Sequence, residues 1–143
     1  MALLEGFTIR SYESGDRSRL VSLWQKVFPD GPIHNNPDKV IDAKLAMNDD
    51  LLLVLTRGKS IIGSVMVGYD GHRGWLYGVA VDPSLQGRGL GQALVERAID
   101  DLRQLGCPKV NLQVRSGNET VVNFYRNLGF EIEERLSLGR RID

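Results

Sequence analysis

The sequence predicts an α/β (α+β) fold in which one mixed sheet of about seven strands is flanked by four helices. Short apolar runs typical of strands alternate with segments whose apolar residues recur at helical spacing. The order of these elements is β-α-α-β-β-β-α-β-α-β-β, with no linker, repeat or low-complexity segment between them. A chain of 143 residues with 42% hydrophobic residues suits one core, so residues 1–143 are expected to form a single domain.

The first half of the chain predicts four strands and two helices. The first helix ends before Pro29 and has one apolar face, formed by Leu20, Leu23, Trp24, Val27 and Phe28. The second begins at Asn36, which can cap a helix, and the proline that follows suits a first turn. Residues 57–59 and 70–74 separate apolar runs, as hairpin turns do. The predicted strands cover residues 7–10, 51–56, 60–67 and 75–81.

The second half predicts two more helices and three strands. A helix follows the glycine-rich segment and runs to about Leu105, where Gly106 ends it. Alternating apolar residues at 110–114 predict a strand. Asn118 is expected to cap the last helix, whose apolar stripe contains Tyr125. A closing pair of strands is expected at 130–134 and 136–142.

The glycine-rich segment after strand 75–81 is the strongest functional signal. Gly87, Gly89 and Gly91 remove side chains where a ligand would approach the backbone, and a helix follows at once. The first N–H groups of a helix lack acceptors within it, and its dipole is positive at that end. The segment therefore predicts a phosphate site, with Arg88 as a further charged donor.

Two other glycine-rich phosphate motifs do not fit the chain. The dinucleotide fingerprint would need its third glycine at position 92 or 94, where Gln92 and Leu94 stand. The Gly-Lys-Ser tripeptide at 58–60 lacks the earlier glycine of a P-loop, because that position is Leu53. A hairpin turn is the favoured interpretation of that tripeptide. A third pattern, Gln-x-x-Gly-x-Gly, matches residues 86–91 without a mismatch.

The pattern at 86–91 resembles the pyrophosphate-binding signature of the Gcn5-related N-acetyltransferases, the GNAT superfamily. Residues 118–130, which end in Asn-Phe-Tyr-Arg-Asn-Leu-Gly-Phe, are similar to a second signature of that superfamily. Segments 68–74 and 106–109 resemble its bacterial YpeA-type branch. The resemblance extends along essentially the whole chain. It implies a GNAT-like, mostly antiparallel sheet and transfer of an acetyl group from acetyl-CoA to an amine.

The resemblance also implies which residues would bind acetyl-CoA. The pantetheine arm would lie along the backbone of strand residues 79–81, where the family has a bulge that turns N–H groups towards the ligand. Only Gly78 indicates such an irregularity in this sequence. The N–H of Val79 would stabilise negative charge on the thioester oxygen. The full expected set is Val79, Ala80, Val81, Gln86, Gly87, Arg88, Gly89, Leu90, Gly91, Gln92, Asn118 and Tyr125.

Tyr125 stands where the family places the acid that protonates the departing thiolate. The alternative is that this tyrosine only fills the seam between sheet and helix. Asn118 is interpreted first as a helix cap and second as a cofactor contact.

The general base is left open by the sequence. At pH 7 a lysine amine needs about 4.6 kcal/mol to lose its proton, whereas an α-amine needs only about 1.4 kcal/mol. Asp70 and His72 are the expected catalytic pair, although a glycine-flanked Asp-Gly-His can equally be turn chemistry. Tyr77 is a third polar candidate near the open end of the cofactor strand, and Glu13, Asp16 and His34 are expected to edge the acceptor pocket.

Composition excludes several other classes of function. A formal net charge of zero and a pI of about 6.7 indicate neither nucleic-acid binding nor a membrane surface. The longest apolar run, 51–55, is too short to span a bilayer, and residues 1–5 do not resemble a signal peptide. The single cysteine, Cys107, is expected to be a packed thiol. A cytoplasmic protein without a metal is therefore expected.

The acceptor is not identified by the sequence and is a small molecule, a protein N-terminus or a lysine. A homodimer is compatible with the sequence. The alternative to an enzyme is a non-catalytic sensor or partner subunit that binds CoA or acetyl-CoA.

Overall fold

The structure is a computed structural model that describes residues 5–29 and 36–143. The chain divides into two compact units, Met1–Leu112 and Gln113–Asp143, here called the N-terminal and C-terminal units. The single-domain organisation stays a prediction. Of the described residues, none belongs to a helix with the length and apolar character needed to cross a membrane.

The N-terminal unit is built on a five-stranded sheet with the order β1-β2-β3-β4-β5. Neighbouring strands are antiparallel from β1 to β4, and β4 is parallel to β5, so the sheet is mixed and mostly antiparallel as expected. The tripeptide at 58–60 lies at the β2–β3 hairpin, as predicted. The strands are β1 Phe7–Ser11, β2 Leu52–Arg57, β3 Ser60–Tyr69, β4 Gly74–Val81 and β5 Val110–Leu112.

Four helices have the predicted order. They are α1 Arg17–Val27, α2 Pro37–Leu45 and α3 Leu90–Gln104 in the N-terminal unit, and α4 Glu119–Arg126 in the C-terminal unit. The side chain of Asn36 caps α2 by accepting the N–H groups of Asp38 and Lys39 at 3.0 and 3.3 Å. This cap was predicted from the Asn-Pro pair.

The predicted closing strands at 130–134 and 136–142 are wrong, because the structure assigns no strand to these residues. The sheet has five strands rather than seven. An alternation of apolar and polar residues shows only which residues would share a face of a strand. A strand also needs a hydrogen-bonded neighbour and a surface on which its apolar face can pack. Leu136 and Leu138, which set the alternation, are 92% and 93% exposed.

Helices cover both faces of the sheet in the N-terminal unit. On one face, Leu20 and Leu23 of α1 and Ile41 of α2 join a buried cluster with the side chains of β2, β3 and β4. On the other face lies α3, whose buried residues are Leu90, Ala93, Leu94, Val95, Ala98 and Leu102. Neighbouring strand residues show the two faces directly. Ser64 accepts a hydrogen bond from the Trp24 indole N–H of α1 at 2.9 Å, whereas Gly63 lies under α3.

Two glycines let α3 approach the sheet closely. A Cβ on Gly63 would lie 2.9 Å from the Ala80 carbonyl oxygen and 3.0 Å from Leu94 Cδ1. A Cβ on Gly74 would lie 2.7 Å from Leu102 Cδ1 and 2.9 Å from the Sγ of Cys107, the packed thiol of the sequence analysis. Because α3 carries the glycine-rich loop at its first turn, these contacts set where that loop lies relative to β4.

Gly63→Ala should lower the free energy of unfolding by about 1–3 kcal/mol, because the methyl group meets backbone that cannot rotate away. Gly68→Ala is the matched control, since it lies in the same strand and its Cβ would meet nothing within 4 Å. Urea unfolding of both variants measures the difference. Equal stability of the two variants would contradict the close packing of α3.

A partly buried ion pair connects β1 to the start of α1. Arg10 donates to both carboxylate oxygens of Asp16 at 2.7 and 3.0 Å, and the Glu13 N–H donates to the same carboxylate at 2.8 Å. The hydrogen bond from Arg10 is the main reason that the pKa of Asp16 lies below its ordinary value of 3.8. Asp16 is therefore a structural residue and is not available to an acceptor.

Arg10→Met should lower the free energy of unfolding by about 1–3 kcal/mol at pH 7, because it leaves a buried carboxylate without its charged partner. The lowered pKa of Asp16 means that this stabilisation is complete above about pH 4 and is lost as the pH falls through the folded-state pKa. Unfolding curves between pH 7 and pH 2 should converge for the wild type and the variant. Arg141→Met, at an exposed pair with Asp143, is the control and should change little.

Candidate functional site

Strand β4 contains a bulge. Its register with β3 pairs Tyr77 with Met66 and Ala80 with Ser64, so two β4 residues oppose one β3 residue between these pairs. The two residues are Gly78 and Val79. Gly78 has φ +59°, a left-handed conformation that favours glycine. The bulge that Gly78 indicated in the sequence is therefore present.

The bulge reverses which edge of β4 each N–H group faces. The N–H of Gly74 donates to the Lys109 carbonyl beside β5 at 2.8 Å, but the N–H of Asp82 donates to the Ile62 carbonyl beside β3 at 2.7 Å. In a regular strand, residues eight apart face the same edge. The one-residue insertion changes this alternation, so Val81 directs its N–H group away from β3, and the bulge residue Val79 is expected to do the same.

The edge that these N–H groups face is open. The pairing of β4 with β5 covers only Gly74–Leu76 and Val110–Leu112. Within residues 5–29 and 36–143, no strand pairs with residues 77–81 on this side. A row of backbone donors along 79–81 is thus available to an extended ligand, which needs hydrogen-bond acceptors at the spacing of a strand.

The glycine-rich loop continues from this open edge. Asp82 begins a single 3-10 turn, Pro83–Leu85, by accepting the Ser84 N–H at 3.0 Å. Gln86 Nε2 then donates to the Val81 carbonyl at 3.3 Å, which holds the loop to the end of β4. Loop residues 86–89 are exposed. The loop and the bulge are therefore adjacent features of one strand–loop–helix unit.

The first turn of α3 presents unpaired backbone donors. Gly87 and Gly89 have φ +81° and +78°, and a Cβ on Gly87 would meet nothing within 4 Å. No side chain caps α3, and the first N–H to find a partner is that of Ala93, which donates to the Gly89 carbonyl at 3.1 Å. In the part of the chain that the structure describes, the N–H groups of residues 90–92 have no acceptor. Such donors at a helix start suit an anionic group such as a phosphate.

Asp70 and His72 lie at the other end of β4. One carboxylate oxygen of Asp70 accepts the backbone N–H groups of Arg73 and His72 at 2.7 and 2.8 Å, and these bonds hold the pKa of Asp70 below its ordinary value. Strand residues rise about 3.3 Å each, so Val79 lies roughly 16 Å beyond Gly74 along β4. The structure does not bring these two residues to the bulge, and their catalytic role stays a prediction.

The C-terminal unit contains the second signature. Asn118 caps α4 by accepting the Val121 N–H at 3.3 Å. The ring of Tyr125 makes edge-on contacts with Phe124 and Phe130, at centroid distances of 5.0 and 5.6 Å. Burial raises the pKa of Tyr125 to about 12, so its hydroxyl keeps its proton at neutral pH. A group that donates a proton at neutral pH must itself be protonated at that pH.

Sequence reasoning missed an aromatic surface beside the bulge, here defined as Phe28, Trp75 and Tyr77. Phe28 was assigned to the apolar face of α1, yet it ends that helix and is 42% exposed. Its Cε2 atom lies 3.9 Å from where a Cβ of Gly78 would stand. Tyr77 had been considered only for its hydroxyl. The other predicted pocket residue on this side, His34, lies outside the described residues.

Comparison with known proteins connects this arrangement to an enzyme family. The profile of the acetyltransferase (GNAT) family matches residues 18–130. An acetyltransferase of Pectobacterium atrosepticum is 39% identical over 134 residues, which cover 94% of each chain. An uncharacterized N-acetyltransferase of Yersinia pestis is 38% identical over 134 residues, again 94% of each chain.

Solved structures have the same fold. The ribosomal-protein-S18-alanine N-acetyltransferase of Escherichia coli matches with a TM-score of 0.74 at 27% identity, over 87% of this chain and 77% of that one. AAC(6′)-Iy in complex with the bisubstrate analogue CoA-S-monomethyl-acetylneamine matches with a TM-score of 0.76 at 20% identity, over 96% and 99% of the two chains. The second likeness shows the fold alone.

Proposed function

Because the chain belongs to the acetyltransferase (GNAT) family, we propose that it is an N-acetyltransferase with acetyl-CoA as donor and an amine as acceptor. One observation carries the proposal. A bulge precedes an open strand edge that carries the N–H of Val81, and that edge leads directly into unpaired N–H groups at the start of α3. The two donor sets lie in the order that the arm and the pyrophosphate of CoA require.

The glycine-rich loop would bind the pyrophosphate. The N–H groups of residues 90–92 point out of the helix end, and the helix dipole favours an anion there. Arg88 is exposed beside them and adds a charge-assisted donor. Along β4, the N–H of Val81 would hydrogen-bond the extended arm, and Ala80 keeps the strand in place through its buried side chain. Bound acetyl-CoA would supply an activated acetyl thioester.

Two groups of this chain would act on the reacting atoms. The N–H of Val79 would donate to the thioester oxygen, which becomes more negative when the amine attacks. The Tyr125 hydroxyl would donate its proton to the departing sulfur. The family signature, not a measured distance, supports this role for Tyr125.

Asp70 and His72 are proposed as polar groups of the acceptor side. The lowered pKa of Asp70 makes its carboxylate a weak base, and its turn hydrogen bonds already occupy it. Asn118 is proposed as a cofactor contact in addition to its role as the α4 cap. The profile match at 18–130 spans both units and supports the proposal that they form one domain.

The relatives' names support an amine acceptor. One solved structure, 27% identical to this chain, is named as an N-acetyltransferase that acts on the alanine of a ribosomal protein. A non-catalytic CoA-binding subunit would bind acetyl-CoA without turnover. Release of free CoA thiol in the presence of an amine therefore separates the enzyme from the alternative.

Gly89→Val should weaken acetyl-CoA binding more than tenfold, because a branched side chain crowds the phosphate approach and strains a residue with φ +78°. Arg88→Ala should cost less than tenfold, as one exposed contact. Calorimetry on folded protein measures both.

Gly58→Val is the matched control for Gly89→Val, because Gly58 also has positive φ but lies in the β2–β3 hairpin, where a Cβ would meet nothing within 4 Å. It should leave the affinity unchanged. Normal affinity in Gly89→Val would refute the cofactor site.

Tyr125→Phe should reduce kcat by about 10²- to 10⁴-fold while acetyl-CoA affinity stays near normal, since the change removes the proton donor and keeps the ring. Steady-state kinetics with an accepted amine measures the effect. Tyr69→Phe is the control, because the Tyr69 hydroxyl makes only an exposed 3.4 Å contact with the Gly71 carbonyl. Full kcat in Tyr125→Phe would return this tyrosine to a packing role.

A further inference from the structure

We infer that the acceptor is an α-amine carried next to an apolar side chain, and that the aromatic surface of Phe28, Trp75 and Tyr77 recognises that side chain. The inference rests on the proposed function, because it assigns the amine that reacts at the bulge. It selects one of the three acceptor classes that the sequence leaves open.

The packing of α3 decides from which face an acceptor can approach. Val81 pairs with Gly63, and a Cβ on Gly63 would already contact Leu94 of α3. That face of β3 and β4 is therefore closed at the bulge. Tyr77 pairs with Met66, which packs against the core cluster of α1 and α2, so Tyr77 lies on the opposite face. An amine would have to reach the open edge of β4 from this second face.

The second face is aromatic where it borders the bulge. Tyr77 is 51% exposed, and its ring stacks on that of Trp75 with centroids 6.5 Å apart and planes 22° apart. Phe28 reaches the same place from the end of α1, with its ring edge over Gly78. Exposed aromatic rings that border a functional site offer large, rigid surfaces for apolar groups. The rings of this aromatic surface lie beside the bulge, where the amine would react.

The charges on this face do not favour a polycationic acceptor. The sequences of α1, β3 and β4 contain no aspartate or glutamate. Asp82, just after β4, is paired with Lys26 of α1 at 3.2 Å and with Ser84. The remaining basic residues of α1 are Arg17, which binds the acidic residues of α2, and Arg19, which donates to the Lys59 and Gly15 carbonyls. An acceptor that needs several carboxylates finds none on these elements.

The absence of carboxylates from α1, β3 and β4 also affects whether an α-amine or a lysine amine could react here. At pH 7 about one α-amine in ten is unprotonated, compared with about one lysine amine in 2,500. A lysine acceptor would need a base at the reacting atoms, and α1, β3 and β4 supply no carboxylate for this purpose. An α-amine reacts from its own free fraction. The chemistry of this face therefore favours an α-amine with an apolar neighbour.

The test compares three acceptors at pH 7 by release of CoA thiol: phenylalanyl-glycine amide, glycyl-glycine amide and Nα-acetyl-lysine amide. We expect kcat/KM for the first to exceed that for the second at least tenfold, and that for the lysine compound at least a hundredfold. Phe28→Ala and Tyr77→Ala should each remove most of the preference for the phenylalanyl compound, with an unchanged Kd for acetyl-CoA by calorimetry. Leu105→Ala, an equally exposed apolar position after α3, is the control and should retain the preference.

Equal kcat/KM for the phenylalanyl and glycyl compounds would overturn the inference. So would a preference for the lysine compound, a preference that survives in both aromatic variants, or acetyl-CoA binding without transfer to any of the three. If Phe28→Ala fails to fold by circular dichroism, Tyr77→Ala decides the question, since its ring is half exposed. Wild-type protein that does not bind acetyl-CoA would instead refute the proposed function, and the inference with it.

Discussion

A single inserted residue in β4 controls the geometry on which the rest of the site depends. Gly74 and Ala80 are six residues apart and would share a face in a regular strand. A Cβ on Gly74 would meet Leu102 of α3, whereas Ala80 belongs to the core cluster with Leu20 of α1. The bulge thus exchanges the faces of the strand as well as its edges. Gly78 makes this conformation accessible, because its φ of +59° is costly for residues with a Cβ.

The bulge keeps its geometry because strand β3 and helices α1 and α3 hold it in place. The register with β3 is continuous on both sides of it, so the irregular residues cannot slide along the strand. Trp24 adds a hydrogen bond from α1 to Ser64, the residue that pairs with Ala80. On the opposite face, Gly63 brings α3 against the same pair of strands. Both helices therefore hold the open edge and the glycine-rich loop in one fixed relation, as preorganised donors require.

Local chemistry explains why much of this arrangement could be predicted. Asn36 followed by proline, the Gly-Lys-Ser hairpin at 58–60 and Asn118 each specify their own turn or cap through backbone hydrogen bonds made within a few residues. The predicted strands at 130–134 and 136–142 failed because a strand depends on a distant partner, and the alternation of Leu136 and Leu138 contains no information about one. Phe28 was misjudged for a related reason. Helical spacing places it on an apolar face, but the helix ends at Val27.

The sequence by itself determined the order of the elements as far as α4, the hairpins, the helix caps and the glycine-rich turn at residues 86–91, since glycine content and helix-end chemistry are local properties. Only the tertiary structure decided that the N–H of Val81 faces an open edge, that α3 closes one face of β4, and that Asp70 lies at the far end of that strand from the bulge. Each of these facts depends on which strand lies beside β4 and where their pairing stops. Pairing between distant segments follows from how the whole core packs, and no single segment of the chain encodes it.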